Sequence, residues 1–144
     1  MIQIVKMKPH HLRELRLQPM QAGLSTTIAS EEYAESLANT DYAFAVLADG
    51  RVIACAGCLE MWENRAYAWS MISADAGRHF FGFIRAVDGF LKQAPWRRIE
   101  AAVQSDFEQA HRMIRLLGFE FEGRMRAFSA DGVDNDLYAR VRHG

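Results

Sequence analysis

The sequence predicts an α+β fold, a mixed β-sheet flanked by helices in the order β-α-α-β-β-β-α-β-α-β-β. Three observations carry that prediction. Several runs are β-rich with alternating apolar residues, as in Arg97–Gln104. Two longer stretches place apolar residues three and four apart instead. Turn pairs such as Asp49-Gly50 and Asp131-Gly132 separate the runs.

The elements follow in order. Ile2–Lys6 alternates as a short strand, and Pro9 opens a helical segment through Leu12, Leu15 and Leu17 that Pro19 ends. His10 and His11 read as surface residues of its first turn. Gly23–Ile28 is a connection. Ser30 then serves as N-cap for a helix whose first-turn Glu31 and Glu32 favour its positive end, with Tyr33, Ala34 and Leu37 as its apolar side and Asn39 closing it. Tyr42–Ala48 and Arg51–Trp62 are strands joined by Asp49-Gly50, and Glu63-Asn64 leads into a third, Arg65–Ile72. After the loop Ser73–Gly77, a helix from Arg78 to Gln93 presents Phe80, Ile84, Val87 and Leu91 to a sheet, and Pro95 marks its end. Arg97–Gln104 is a strand with Ile99, Ala101 and Val103 on one side. The helix 106–117 carries Phe107, Ala110, Ile114 and Leu117 on one face, and Gly118 takes the left-handed conformation that ends it. Phe119–Phe128 and Asp136–Val141 form a terminal hairpin.

With 144 residues the chain is long enough for one domain, 1–144, with a proper core. Half of it is hydrophobic and 24% is charged, which excludes global disorder. A formal net charge of -1 supplies no general attraction for phosphate backbones, so no nucleic acid is expected. The basic clusters Arg97–Arg98 and Arg140, Arg142 and His143 read as solvated strand and tail residues. Met1–Val5 is too short for a signal-peptide core, and no run approaches the length of about 18 apolar residues that spans a bilayer. The expected location is the cytoplasm, without a membrane partner.

Cys55-Ala56-Gly57-Cys58 is a C-x-x-C, yet it lies inside a strand and not at a helix N-terminus. Residues three apart on a strand point to opposite faces, so the sulfurs diverge. There is no second cysteine pair, and the five histidines are scattered. Both cysteines read as core, and no metal site is expected.

A helix, then Leu117-Gly118-Phe119, then a strand bearing Glu122-Gly123 resembles the C-terminal half of the GNAT acyl-CoA N-acyltransferase fold. The whole element order matches that family's, in which a mixed, splayed sheet opens to admit acyl-CoA. The resemblance implies a single GNAT-like domain and acyl transfer, with acetyl-CoA as co-substrate, to the amine of a small molecule or peptide. It places the CoA pyrophosphate on the segment after the fourth strand, Ile72, Ser73, Gly77, Arg78, His79, Phe80, Phe81 and Gly82. Family members show Gln or Arg, two residues, Gly, one residue, then Gly or Ala. Alignment on Gly82 puts Phe80 at the first Gly place; alignment on Arg78 puts Phe81 there.

The family's general acid is often a Tyr four residues before the Gly, where this chain has Ile114, and Phe107 stands where Asn is common. Of the carboxylates near the splay, Glu60 and Glu63, Glu60 is the candidate base. Trp62 and Trp69, with Tyr67, are candidates for the acceptor pocket. Pairing into a homodimer through the Tyr67–Trp69 strand or the terminal hairpin fits the family's habit. The chain also resembles the short GNAT-like proteins of tailed phages. That likeness implies a catalytically degenerate virion-assembly protein whose partners are other virion proteins.

Overall fold

The computed structural model describes residues 2–15, 42–74 and 76–142. Among these the order is β1 (Ile2–Lys6), α1 (Pro9–Arg13), β2 (Ala43–Ala48), β3 (Arg51–Trp62), β4 (Arg65–Ile72), a 3₁₀ turn (Gly77–His79), α2 (Phe80–Gln93), β5 (Arg98–Gln104), α3 (Glu108–Leu116), β6 (Glu120–Met125) and β7 (Asn135–Val141). The strands hydrogen-bond in the order β1-β2-β3-β4-β5-β7-β6. The expected helix from Ser30 to Asn39 lies outside the described residues, whereas the first helix ends earlier than expected, at Arg13 with Glu14 as its C-cap, so Leu15 is not part of it. The mixed character comes from β4, which pairs with β5 in parallel over only three residue pairs, Arg65–Tyr67 with Arg98–Glu100. The pairs β1–β2, β2–β3, β5–β7 and β6–β7 are antiparallel. Contacts divide the chain into two compact units, 1–59 with 69–86 and 60–68 with 87–144.

In the first unit, β2 and β3 form a tight hairpin. Asp49 and Gly50 both adopt positive φ, 51° and 83°, the pairing that matches a two-residue turn to the strands' right-handed twist. Met7, Leu12, Leu15, Ala43, Ala45, Val52, Cys55 and Met71 make one buried cluster, with Leu47 and Trp69 packed against it. Gly57 pairs with Ala43 where the two backbones come unusually close. A Cβ there would lie 2.4 Å from the Tyr42 carbonyl oxygen, the same oxygen that accepts the Cys58 N–H at 3.0 Å.

Helix α1 corrects one expectation. His10 is exposed, but His11 is buried, and its Nδ1 accepts the Lys8 N–H at 2.9 Å. The ring thus satisfies an N–H that would otherwise be left open at the helix start. Burial is the main cause holding the His11 pKa below its ordinary value.

In α2 the most deeply buried residues are Phe83 and Leu91, whereas Phe80, Ile84 and Val87 are half-buried. A 3₁₀ turn, Gly77–His79, precedes the helix. Gly82 faces β1: a Cβ there would meet Ile2 Cγ1 at 3.0 Å.

In the second unit, β7 lies between β5 and β6. Helix α3 ends as its sequence predicts. Gly118 has φ 84°, its N–H donates to Arg115 O at 3.0 Å, and the Phe119 N–H donates to Ile114 O at 3.1 Å. These two bonds together are a Schellman motif. β6 is shorter than the predicted Phe119–Phe128 run because Ala127 adopts φ 50° and the Phe128 N–H turns to Val133 O at 3.1 Å.

The basic clusters are more engaged than expected. Glu100, buried, accepts from Arg65 and from Arg98 Nε at 2.9 Å, while Arg98 forks onto Glu122 at 3.0 and 2.5 Å. Arg142 Nη2 donates to Ala94 O at 2.7 Å and to Trp96 O at 3.3 Å, just past the C-terminus of α2. Arg98 and Arg142 are therefore connectors. Of their partners, Glu122 is 24 residues from Arg98 and Ala94 is 48 from Arg142, too far for local charge patterning to reveal.

Candidate functional site

The segment after β4 builds a helix start with open donors. Ser73, buried, donates its N–H to Ile53 O at 2.8 Å, which fixes the end of the strand. The Ala76 N–H returns to Ser73 O at 3.1 Å, the His79 N–H to Ala76 O at 2.8 Å, and the Phe80 N–H to Gly77 O. The N–H groups of Gly77 and Arg78 have no acceptor among the described residues. A helix start leaves such donors, and the aligned peptide dipoles of the fourteen-residue α2 favour a negative charge beside them.

The space is available as well. A Cβ on Gly77 would meet nothing within 4 Å. Arg78 is exposed and donates from Nε to His79 Nε2 at 3.4 Å. Phe81 is 73% exposed and Phe80 half-buried, their rings 5.7 Å apart edge to face; the ring buried in this stretch is Phe83, at 2%. Gly82 packs on Ile2, and Ile72 is half-buried at the end of β4.

Glu60 and Trp62 lie in the second unit. Glu60 is exposed, and its Oε1 accepts the indole N–H of the buried Trp96 at 2.9 Å. Trp62 is also exposed, with the Arg65 guanidinium 4.3 Å above its ring. Trp69 is in the first unit. Its indole nitrogen is buried with no hydrogen-bond partner among the described residues. Buried donors are rarely left so, and one that is marks a place where a water or ligand atom is wanted.

The cysteines are core. Cys55 and Cys58 are buried free thiols, and burial pushes each thiol up to about 12. The native protein should therefore react with a thiol reagent at pH 8 at least about a thousandfold more slowly than a free cysteine. In denaturant both thiols should label. Rapid labelling of the folded chain would contradict the placement.

One cluster was not foreseen from the sequence. His111, buried on α3, has Nδ1 2.7 Å from Tyr138 Oη and Nε2 3.0 Å from the carbonyl oxygens of Gln104 and Ser105. Two carbonyls can only accept, so Nε2 carries the proton, and in the neutral ring Nδ1 accepts from the Tyr138 hydroxyl. Beside it, Asp136 Oδ1 accepts from Ser105 Oγ at 2.7 Å and from Arg124 Nε at 3.0 Å. Burial opposes ionisation of Asp136, but these bonds and the Arg124 charge outweigh it and hold the carboxyl below its usual range. The only sequence signal was a histidine three residues before Ile114 on the same helix, which the apolar stripe obscured. The cluster borders a cavity of about 580 Å³.

The sheet order, the two βα crossovers and the terminal hairpin define the fold of the GNAT acetyltransferases. Ard1 from Thermoplasma volcanium superposes with a TM-score of 0.80 at 13% identity, covering 99% of each chain. A probable acetyltransferase from Staphylococcus epidermidis gives 0.79 at 13%, over 99% of this chain and 100% of the other. The ribosomal-protein-S18-alanine N-acetyltransferase from Escherichia coli gives 0.73 at 18%, over 100% and 97%. No family sequence model matches the chain, and no curated protein matches it in sequence. The likeness is one of fold. Among the described residues, no helix is long and apolar enough to cross a membrane.

Proposed function

We propose that the chain is an acyl-CoA-dependent N-acyltransferase that moves an acetyl group to the amine of a small molecule or peptide. The observation that carries this reading is the pair of open N–H groups at Gly77 and Arg78, placed where α2 begins directly after β4 on a GNAT fold. Those donors, the clear space at Gly77 and the Arg78 side chain suit a diphosphate. Acetyl-CoA would supply an acyl group activated as a thioester.

The protein's own part is to hold the diphosphate and to take a proton from the acceptor amine. Glu60 is the candidate for the second task. Trp96 fixes its Oε1, and Oε2 has no partner among the described residues.

Calorimetry with acetyl-CoA tests the reading: micromolar binding supports it, and no heat at millimolar ligand removes it. Glu60→Gln keeps an oxygen for Trp96, so the melting temperature should stay within about 2 °C. Turnover of a responsive amine should nevertheless fall by about 10²–10⁴ if Glu60 is the base. Unchanged turnover would assign Glu60 to holding Trp96 alone.

A second reading has one observation in its favour. Ile114, at the place of the family's acid, is buried as core and has no proton to give. A chain that binds no acetyl-CoA would fit a catalytically silent assembly protein on the same scaffold.

A further inference from the structure

We propose that the cavity beside α3 is a second ligand site, separate from the acyl-CoA segment, which takes a small phosphate monoester carrying a planar ring, of mononucleotide size. The helix supplies one wall. Glu108, Arg112 and Arg115 follow at spacings of four and three and line the cavity together. Strands β6 and β7 supply the other, through Phe121, Arg124 and Tyr138. All of these residues belong to the second unit.

Charge argues for an anion. The side chains of Arg112 and Arg115 make no hydrogen bond or ion pair with any described residue. Arg124 is different. Its Nε is tied to Asp136, so its two terminal nitrogens are held in place yet have no protein acceptor among the described residues. Asp136 is already engaged by Ser105 and Arg124, and Glu108 makes no ion pair with any described residue. The lining holds three guanidiniums against the carboxylates of Asp136 and Glu108, and this excess of positive charge favours an anion. A phosphate monoester is close to doubly charged at pH 7 and has three acceptor oxygens for guanidinium forks. A carboxylate has one charge and fills a single fork.

Shape argues for the ring. Phe121 stays 57% exposed while standing edge to face with Tyr138, their centroids 5.8 Å apart. An aromatic face left open beside arginines is a surface on which a planar group stacks. The volume, about 580 Å³, is in the range of pockets for small organic ligands. The chain's net charge of -1 favours a small molecule over a nucleic-acid strand, which needs a continuous basic track.

The test is calorimetry on the full chain at low salt with adenosine monophosphate, adenosine and inorganic phosphate. Adenosine monophosphate should bind at least about tenfold more tightly than either part, because both the phosphate and the ring contribute. Arg115→Glu should weaken that binding at least about tenfold. Phe121→Ala should bring it down towards that of inorganic phosphate. Both residues are exposed, so the folded state should survive; if Arg115→Glu does not fold, Arg112→Ala takes its place with a loss of severalfold. The proposal is overturned if adenosine binds as well as its monophosphate, or if the arginine variant binds unchanged. It is also overturned if Arg115→Glu abolishes acetyl-CoA binding in parallel, because the cavity would then belong to the acyl-CoA site. Retained acetyl-CoA affinity in a variant that has lost the monophosphate supports two sites. Binding of the monophosphate without any acetyl-CoA binding would leave this inference standing while the acyltransferase reading fell.

Discussion

Gly57→Ala should destabilise the protein by about 3 kcal/mol or more, lowering the melting temperature by roughly 10 °C or preventing accumulation of folded chain. The added methyl would stand 2.4 Å from the Tyr42 carbonyl oxygen and 3.0 Å from Ala43 Cα, both backbone, as well as 3.0 Å from the Trp69 ring. A flexible side chain would swing aside, but a strand paired in register from Ala43 to Val46 cannot move without breaking its ladder. The same oxygen accepts the Cys58 N–H, so relief of the clash would also cost that bond. Gly89→Ala, within α2, is the control. Nothing lies within 4 Å of its Cβ, and replacing a mid-helix glycine by alanine should stabilise by about 0.5–1 kcal/mol. Thermal melts of the two variants should therefore move in opposite directions. A Gly57→Ala protein that melts like the parent would show that the strands are not this close.

Glu100→Ala should be the second large effect, about 2 kcal/mol. Removing one member of a buried ion pair typically costs more, but Arg65 and Arg98 are about a third exposed (30% and 31%), and water offsets part of the loss. The substitution leaves two guanidiniums facing a vacated carboxylate, with Glu122 still paired to Arg98.

The same network predicts acid sensitivity. Hydrogen bonds from Arg65, and then from Arg98, hold the Glu100 carboxyl below its ordinary value, and Arg98 does the same for Glu122. A carboxylate whose folded pKa is depressed contributes stability above its unfolded pKa, about 4.3, and that contribution is lost as pH falls through the folded value. The melting temperature should thus decline below about pH 4.5, and Glu100→Gln should show a shallower decline from a lower plateau. Parallel curves for the parent and Glu100→Gln would show that Glu100 is not part of the acid response.

Much of the architecture was legible because its signals are local. Asp49-Gly50 forces its hairpin through two left-handed residues, and Gly118 ends α3 by the same freedom, whatever surrounds them. The place of the candidate segment was legible for a related reason: Ile72, Ser73 and 77–82 lie close together in sequence, so finding the end of β4 and the start of α2 locates them. The candidate chemistry was less so. Glu60 reads as a carboxylate at a strand end, and only the fold brings Trp96, 36 residues on, to its Oε1. His111 reads as a polar interruption of a helix, and only the β5–β7 register delivers Tyr138 to its ring.

By itself, then, the chain's sequence determined the order and kind of its elements, where they turn, and that its cysteines lie inside. Backbone propensities and apolar spacing act within a few residues, so a linear reading captures them. The tertiary structure alone decided which charges are spent on one another, as Arg98 is on Glu100 and Glu122, and which side chains have no partner among the described residues, as those of Arg112 and Arg115. That difference rests on distances between residues far apart along the chain. Strand register sets them, and no local pattern encodes it.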